Sequence, residues 1–154
     1  MIYLDCDGVL ADFDRGAGEV LGMLPSEFEA RFGSEEFWKR ISETPDFFAD
    51  LEPMVDAFVL YEAVRHTNPA ILTGVPRGGW SEIPKRQWAE RYFPGVLVIT
   101  CFSAHKHHYR KAGDVLIDDR DRYRDRWEMN GGIFIHHISA EDSIDQLFDR
   151  EILP

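Results

Sequence analysis

Only two cysteines occur in this sequence, Cys6 and Cys101. Their number and spacing build no disulfide framework, so both read as free thiols in a reducing compartment. Cys6 stands between two aspartates whose charges raise a thiol pKa, and it reads as strand packing and not as a nucleophile. Long apolar runs are missing too. No stretch approaches the length of a signal or spanning segment, and acid appears within five residues of the start, so a cytoplasmic protein with no membrane partner is expected. Positive charge is scarce: 17 Lys and Arg face 28 Asp and Glu, for a formal net charge of -11. Such a surface repels polyanions and makes a nucleic-acid polymer an unfit partner. A small anion can still bind where a metal and a few cations reverse the field locally.

What is present suffices for one domain. The 154 residues can bury a core without staples, and no repeat or low-complexity segment interrupts them. Ile2-Tyr3-Leu4 reads as a first strand. From Phe13 to Phe48 the pattern is that of short helices: Ser26 and Glu29 have capping-box spacing, Phe28 and Phe32 pair at i, i+4, and Phe37, Trp38 and Ile41 share a face. That stretch is long for a plain crossover, so a separate helical cap over residues 14–48 is expected, with the core in 1–13 and 49–154. A helix is expected over Pro53 to His66, a strand at Ala70-Ile71-Leu72, a helix over Lys85 to Phe93 and a strand at Val96 to Ile99. Further strands are expected at Val115-Leu116-Ile117 and Ile133-Phe134-Ile135, a charged helix over Arg120 to Asn130, and a last helix capped by Ser139. Strands that are continuous apolar runs alternating with helices argue for an α/β fold, with a Rossmann-like parallel sheet sandwiched by helices.

The chemistry gathers where these strands end. In an extended segment residues i and i+2 face one way, so Asp5 and Asp7 converge just past the first strand, and Gly8 lets the backbone wrap sharply. Two close carboxylates could be no more than an acidic turn, and the remaining strands decide. Leu72 is followed by Thr73, and Ile117 by Asp118 and Asp119. In an open parallel sheet the carboxyl ends of strands share one edge, where ligands bind. Four aspartates there offer oxygen ligands suited to Mg²⁺, while Thr73 and Lys106 can hold a phosphoryl group. Lys111 is a rival to Lys106 but stands only seven residues before Asp118, and Lys85 is expected to face solvent. The histidines 105, 107, 108, 136 and 137 read as solvent-facing or supporting groups, because adjacent histidines on a strand point to opposite faces.

Asp5-x-Asp7-Gly8-Val9-Leu10, Leu72-Thr73-Gly74, Lys106 and Ile117-Asp118-Asp119 resemble, in order, the four motifs of the haloacid dehalogenase-like (HAD) phosphatases. Asp5 to Phe13, Phe47-Phe48 through Pro53, and Leu116 to Arg120 are similar to the 5'(3')-deoxyribonucleotidase branch. The resemblance implies a Mg²⁺-dependent phosphomonoesterase acting on nucleoside or deoxynucleoside monophosphates. Asp5 would be the nucleophile that forms an aspartyl-phosphate and Asp7 the acid and base, with Thr73 and Lys106 completing the catalytic group. The metal would be held by Asp5, the main-chain carbonyl of Asp7, Asp118 and Asp119. Phe13, Phe37, Trp38, Gly74 and Arg120 would meet the substrate, and the resemblance is compatible with a homodimer. A phosphatase for a sugar phosphate, or a receiver-like phospho-switch, is the alternative. The chain departs from that branch by a shorter cap, by Gly74 where those relatives carry serine, by a missing cap tryptophan before Phe47, and by two extra residues between Lys106 and Asp118. These departures bear on substrate choice and leave the phosphoryl chemistry intact.

Overall fold

The computed structural model describes residues 1–154. Five strands, β1 (Ile2–Leu4), β2 (Ala70–Gly74), β3 (Leu97–Cys101), β4 (Val115–Asp118) and β5 (Ile133–His136), form one parallel sheet in the order β3-β2-β1-β4-β5. The chain builds outward from β1 on one side, then returns to place β4 on the other. The topological switch point therefore falls at β1, where open parallel sheets bind ligands. Leu4 pairs in register with Ile71 and with Ile117, so Asp5, Leu72 and Asp118 follow side by side at the carboxyl edge.

Side chains alternate across the sheet. Ile2 and Leu4 enter the larger core with Ile71, Val115 and Ile117, while Tyr3, Leu72, Leu116, Trp127 and Phe134 form a smaller one on the opposite face. Both faces of the central strands are thus apolar, which explains why they read as continuous runs.

Helices α1 (Phe13–Leu21), α2 (Pro25–Phe32) and α3 (Ser34–Ser42) are inserted after β1. The insert shares its apolar interior with the sheet: Phe13, Phe28, Phe37, Ile41, Phe47 and Phe48 belong to the larger core. Its two ends are tied together, since Asp12 N donates to Glu52 O at 2.8 Å and Met54 N to Leu10 O at 2.7 Å. That bridge also explains why the helix expected from Pro53 begins later, as α4 (Ala57–Val64). Residues 53 and 54 are already committed to pairing with the first loop.

Three further elements differ from expectation. The Ser26–Glu29 capping box does not form: Pro25 opens α2 and Leu24 is its cap, so Ser26 is already inside the helix. The expected helix over 120–130 shrinks to α6 (Arg124–Glu128), because Arg120 N donates to Asp118 Oδ1 at 3.0 Å and holds the preceding residues in a turn. The helix expected from Lys85 starts earlier, as α5 (Glu82–Tyr92), with Pro84 tolerated in its first turn. Ser139 caps α7 (Ala140–Asp149) as expected, its hydroxyl accepting from Asp142 N at 3.1 Å.

Candidate active site at the carboxyl edge of the sheet

Past β1 the chain coils tightly: the Cys6 carbonyl accepts from Val9, Leu10 and Ala11 amides, and Gly8 adopts φ +83°. A Cβ on Gly8 would collide with the Asp119 carboxylate, so glycine is what allows the loop after β1 to lie against the loop after β4. Asp5 and Asp7 are thereby presented beside Asp118 and Asp119.

Lys106 arrives from a 3₁₀ segment, Ser103–Tyr109, that follows β3. Its ammonium is buried and donates to Asp5 Oδ1 and Asp118 Oδ2, each at 2.7 Å. Lys111 does not compete: it is exposed, and its main-chain amide serves Asp114. Burial alone would lower the lysine's pKa, but the charges and hydrogen bonds of Asp5 and Asp118 outweigh it and hold it raised.

One ammonium does not balance this many carboxylates. Asp5 is raised above the ordinary carboxylate range by burial first and by the neighbouring Asp118 charge second. Asp119 is pushed up to about 7, again by burial and then by Asp5 and Asp118. Oxygens of Asp5, Asp118 and Asp119 all lie within 4.8 Å of one another, and Asp119 Oδ1 is buried without a hydrogen-bond partner. Such a set of hard oxygen donors with uncompensated charge fits a divalent cation. The Asp7 side chain stands outside this trio. Its main-chain carbonyl, which no amide of the chain engages, is the atom it has left to offer a metal.

Lys85 corrects the sequence reading. Expected in solvent, it is 2% exposed and donates to Asp7 Oδ2 at 2.5 Å and to Thr73 Oγ1 at 3.1 Å, with its ammonium 4.2 Å from the centre of the Phe48 ring. The signal was legible: Lys85 shares a helical face with Trp88 and Ala89, both buried, so its side chain had to point inward. Trp88 and Arg91 on the same helix donate to the carbonyls of Leu51 and Ala49, which fixes the segment carrying Phe48. Thr73 is fully buried, and its hydroxyl serves Lys85 and the Gly74 carbonyl. It supports the site from beneath and does not line the cleft.

A cleft of about 740 Å³ opens over Asp5, Asp7 and Asp119. Phe13, Phe37, Trp38, Gly74 and Arg120 all line it, as do Ser103 and Arg122. Phe13, Phe37 and Trp38 pack on one another with ring centroids 5.0 to 6.2 Å apart, and of the three only Trp38 is more than slightly exposed. A smaller cavity of about 170 Å³ lies beside it, closed by Asp5, Lys106 and Asp118 and floored by Leu116, Trp127 and Phe134. The histidines take no part in the carboxylate cluster: His108 stacks on His105 and meets His107 edge-on, and His137 turns inward while His136 stays exposed. The Cys6 thiol is buried and pushed up by that burial and by Asp7, which fits packing.

No family model matches the chain. It is 32% identical over 127 residues, 79% of its length, to a protein of Vibrio phage KVP40 described as "Putative 5'(3')-deoxyribonucleotidase", of which the match covers 67%. A HAD hydrolase of family IA from Entamoeba histolytica superposes over 96% of this chain and 98% of its own, at a TM-score of 0.42 and 13% identity, a likeness too remote to carry weight. The identity to the phage protein, together with the order in which Asp5, Thr73, Lys106 and Asp118-Asp119 follow the strands, places this chain in the haloacid dehalogenase-like (HAD) hydrolase superfamily.

Proposed function

We propose that this protein is a Mg²⁺-dependent phosphomonoesterase acting on nucleoside or deoxynucleoside monophosphates through an aspartyl-phosphate on Asp5. The observation that carries this reading is the convergence of Asp5, Asp118 and Asp119 with Lys106 and Asp7 at one end of an aromatic-walled cleft. A bound cation held by Asp5, Asp118, Asp119 and the Asp7 carbonyl would screen the nucleophile from the phosphate's charge. Asp5 attacks phosphorus in line as the bond to the leaving oxygen breaks. Asp7 gives that oxygen a proton, then takes one from the water that cleaves the aspartyl-phosphate. Lys106 keeps Asp5 oriented and ionised, and Arg120 and Arg122 at the cleft wall meet the phosphoryl oxygens.

The nucleotide half of the reading draws on the cleft and on the phage relative's name. Residues 14–48 act as the cap, and the exposed part of Trp38 offers a face for a base, with Phe13 and Phe37 behind it. A sugar-phosphate substrate is the second reading, favoured by the hydroxyl and carboxylate groups of Ser26, Glu29 and Ser34 in the same cleft.

Phosphate release from a panel of nucleotides and sugar phosphates, with and without chelator, tests both. Chelator and Asp5→Asn should each abolish turnover. Trp38→Ala should raise KM for nucleotides about tenfold, in line with a lost stacking contact of roughly 1–3 kcal/mol, and leave sugar phosphates unaffected. Turnover that survives Asp5→Asn would sink the mechanism, and a preference for sugar phosphates would remove the nucleotide assignment alone. An aspartyl-phosphate lasting minutes or longer would instead identify a phospho-switch.

A further inference from the structure

The two oxygens of Asp7 have different surroundings. Oδ2 is held by the Lys85 ammonium at 2.5 Å, whereas Oδ1 is buried without any partner. Lys85 is itself fixed from three directions: the Asp7 carboxylate, the Thr73 hydroxyl and the Phe48 ring face. A buried ammonium so placed has little freedom to reach elsewhere, and a carboxyl group held by one oxygen can rotate little about its last bond.

We propose that Lys85 is a positioning residue that aims Asp7, holding its carboxyl group by Oδ2 in the orientation from which it exchanges protons with the leaving group and the attacking water. The inference rests on the phosphatase reading above and deepens it. In the first half-reaction the Asp7 carboxyl proton passes to the leaving alkoxide oxygen as its bond to phosphorus breaks and the Asp5 oxygen–phosphorus bond forms. In the second, a water oxygen bonds to phosphorus, its proton passes to the Asp7 carboxylate, and the Asp5 oxygen–phosphorus bond breaks. Lys85 donates no proton in either half. Thr73, inside the sheet edge and out of the cleft, belongs to the same support: its hydroxyl accepts from Lys85 and sets where the ammonium stands.

The test uses two esters. A nucleoside monophosphate expels an alkoxide that needs a proton, whereas 4-nitrophenyl phosphate expels a phenolate that does not. In Lys85→Met, kcat on the nucleotide should fall about 10- to 100-fold, part of what positioned acid–base catalysis supplies, with KM little changed. On 4-nitrophenyl phosphate the same variant should release one nitrophenolate per enzyme in a fast burst and then turn over slowly, because only hydrolysis of the aspartyl-phosphate still needs the Asp7 carboxyl group. In an Asp7→Asn background, adding Lys85→Met should change neither rate, since its effect passes through Asp7.

A tenfold rise in KM for both esters with kcat preserved would show that Lys85 binds phosphate directly, and would overturn the proposal. So would a further loss in the double variant as large as in the single. Removing Lys85 leaves a buried carboxylate unpaired and endangers folding, so Thr73→Val, which keeps the ion pair, is the second probe. It should give the same burst and a smaller loss in kcat, and its absence there would also overturn the proposal. Wild-type turnover that requires Asp5, beside a Lys85→Met enzyme of normal rate and no burst, would refute the positioning role while leaving the phosphatase reading in place.

Discussion

A methyl group at position 8 has nowhere to go. Gly8 holds φ +83°, and a Cβ there would run into the Asp119 carboxylate. Gly8→Ala therefore faces both a left-handed backbone, costing roughly 1–2 kcal/mol, and the displacement of the Asp119 carboxylate. The Mg²⁺ concentration giving half-maximal activity should rise about tenfold or more, with the melting temperature lowered only modestly; an unchanged metal requirement would separate Asp119 from the cation. Position 74 is a second such point. Ser103 Oγ occupies the space a Cβ on Gly74 would need, and Ser103 lines both cavities beside Asp5. Ser103 thus puts a hydroxyl at the cleft beside position 74, where the chain itself carries no side chain. Gly74→Ser should cost about tenfold in kcat/KM by collision, and Gly74→Ser with Ser103→Gly should recover most of it. Steady-state kinetics on the pair decide the point, and a double variant no better than the single would refute the exchange.

At the scale of elements, what could be read in advance was what periodicity encodes. Continuous apolar runs gave the strands, and their order in the chain, combined with the rule that ligands bind at the carboxyl edge, was enough to bring Asp5, Lys106 and Asp118 together. What escaped was set by contacts between segments distant in the chain. Pro53 and Met54 are pulled out of α4 by Leu10 and Ala11, and Arg120 is kept out of α6 by the Asp118 carboxylate. Lysine as a residue type points to solvent, whereas the helical face that Lys85 shares with Trp88 and Ala89 points inward. The docking of α7 on β5 shows the same long-range logic and yields a pH prediction. His137 is buried, with Nδ1 2.8 Å from Ser143 Oγ, and burial lowers its pKa below the ordinary 6.5 despite the opposing pull of Asp56 and Asp142. The unfolded imidazole therefore accepts a proton that the folded one refuses. Its contribution to stability is complete above pH 6.5 and is lost as pH falls below that value. Urea midpoints measured from pH 7.5 down to 5 should decline, and His137→Gln should flatten the decline by removing this proton. Parallel curves for the two proteins would show that another group is responsible.

The charge of the whole molecule reaches into the cleft. Asp5, Asp7, Asp12, Asp14, Glu29 and Asp119 line it against only Arg120 and Arg122, within a chain of net charge -11. At the inner end Lys85 and Lys106 answer part of the excess. Toward the cap, Asp14 and Glu29 have no cationic partner within salt-bridge distance, and no helix of the fold is long and apolar enough to span a membrane and draw that face against lipid. On the phosphomonoesterase reading proposed above, a substrate would bring its single phosphate to the inner end and present an uncharged remainder to carboxylates. A second phosphate on the leaving group would lie in a field of its own sign, at separations where exposed charges are screened by salt over about 8 Å. The enzyme should therefore hydrolyse a nucleoside 5'-monophosphate well and a nucleoside 3',5'-bisphosphate poorly, chiefly through KM. Raising the salt from about 50 to 500 mM should narrow that gap, because screening weakens the repulsion and leaves the contacts of the neutral part untouched. Asp14→Asn with Glu29→Gln should narrow it at low salt by a similar factor and make it insensitive to further salt. If bisphosphates are accepted as readily as monophosphates at low salt, the acidic wall plays no part in substrate choice, and selectivity falls to the shape of the aromatic wall around Trp38.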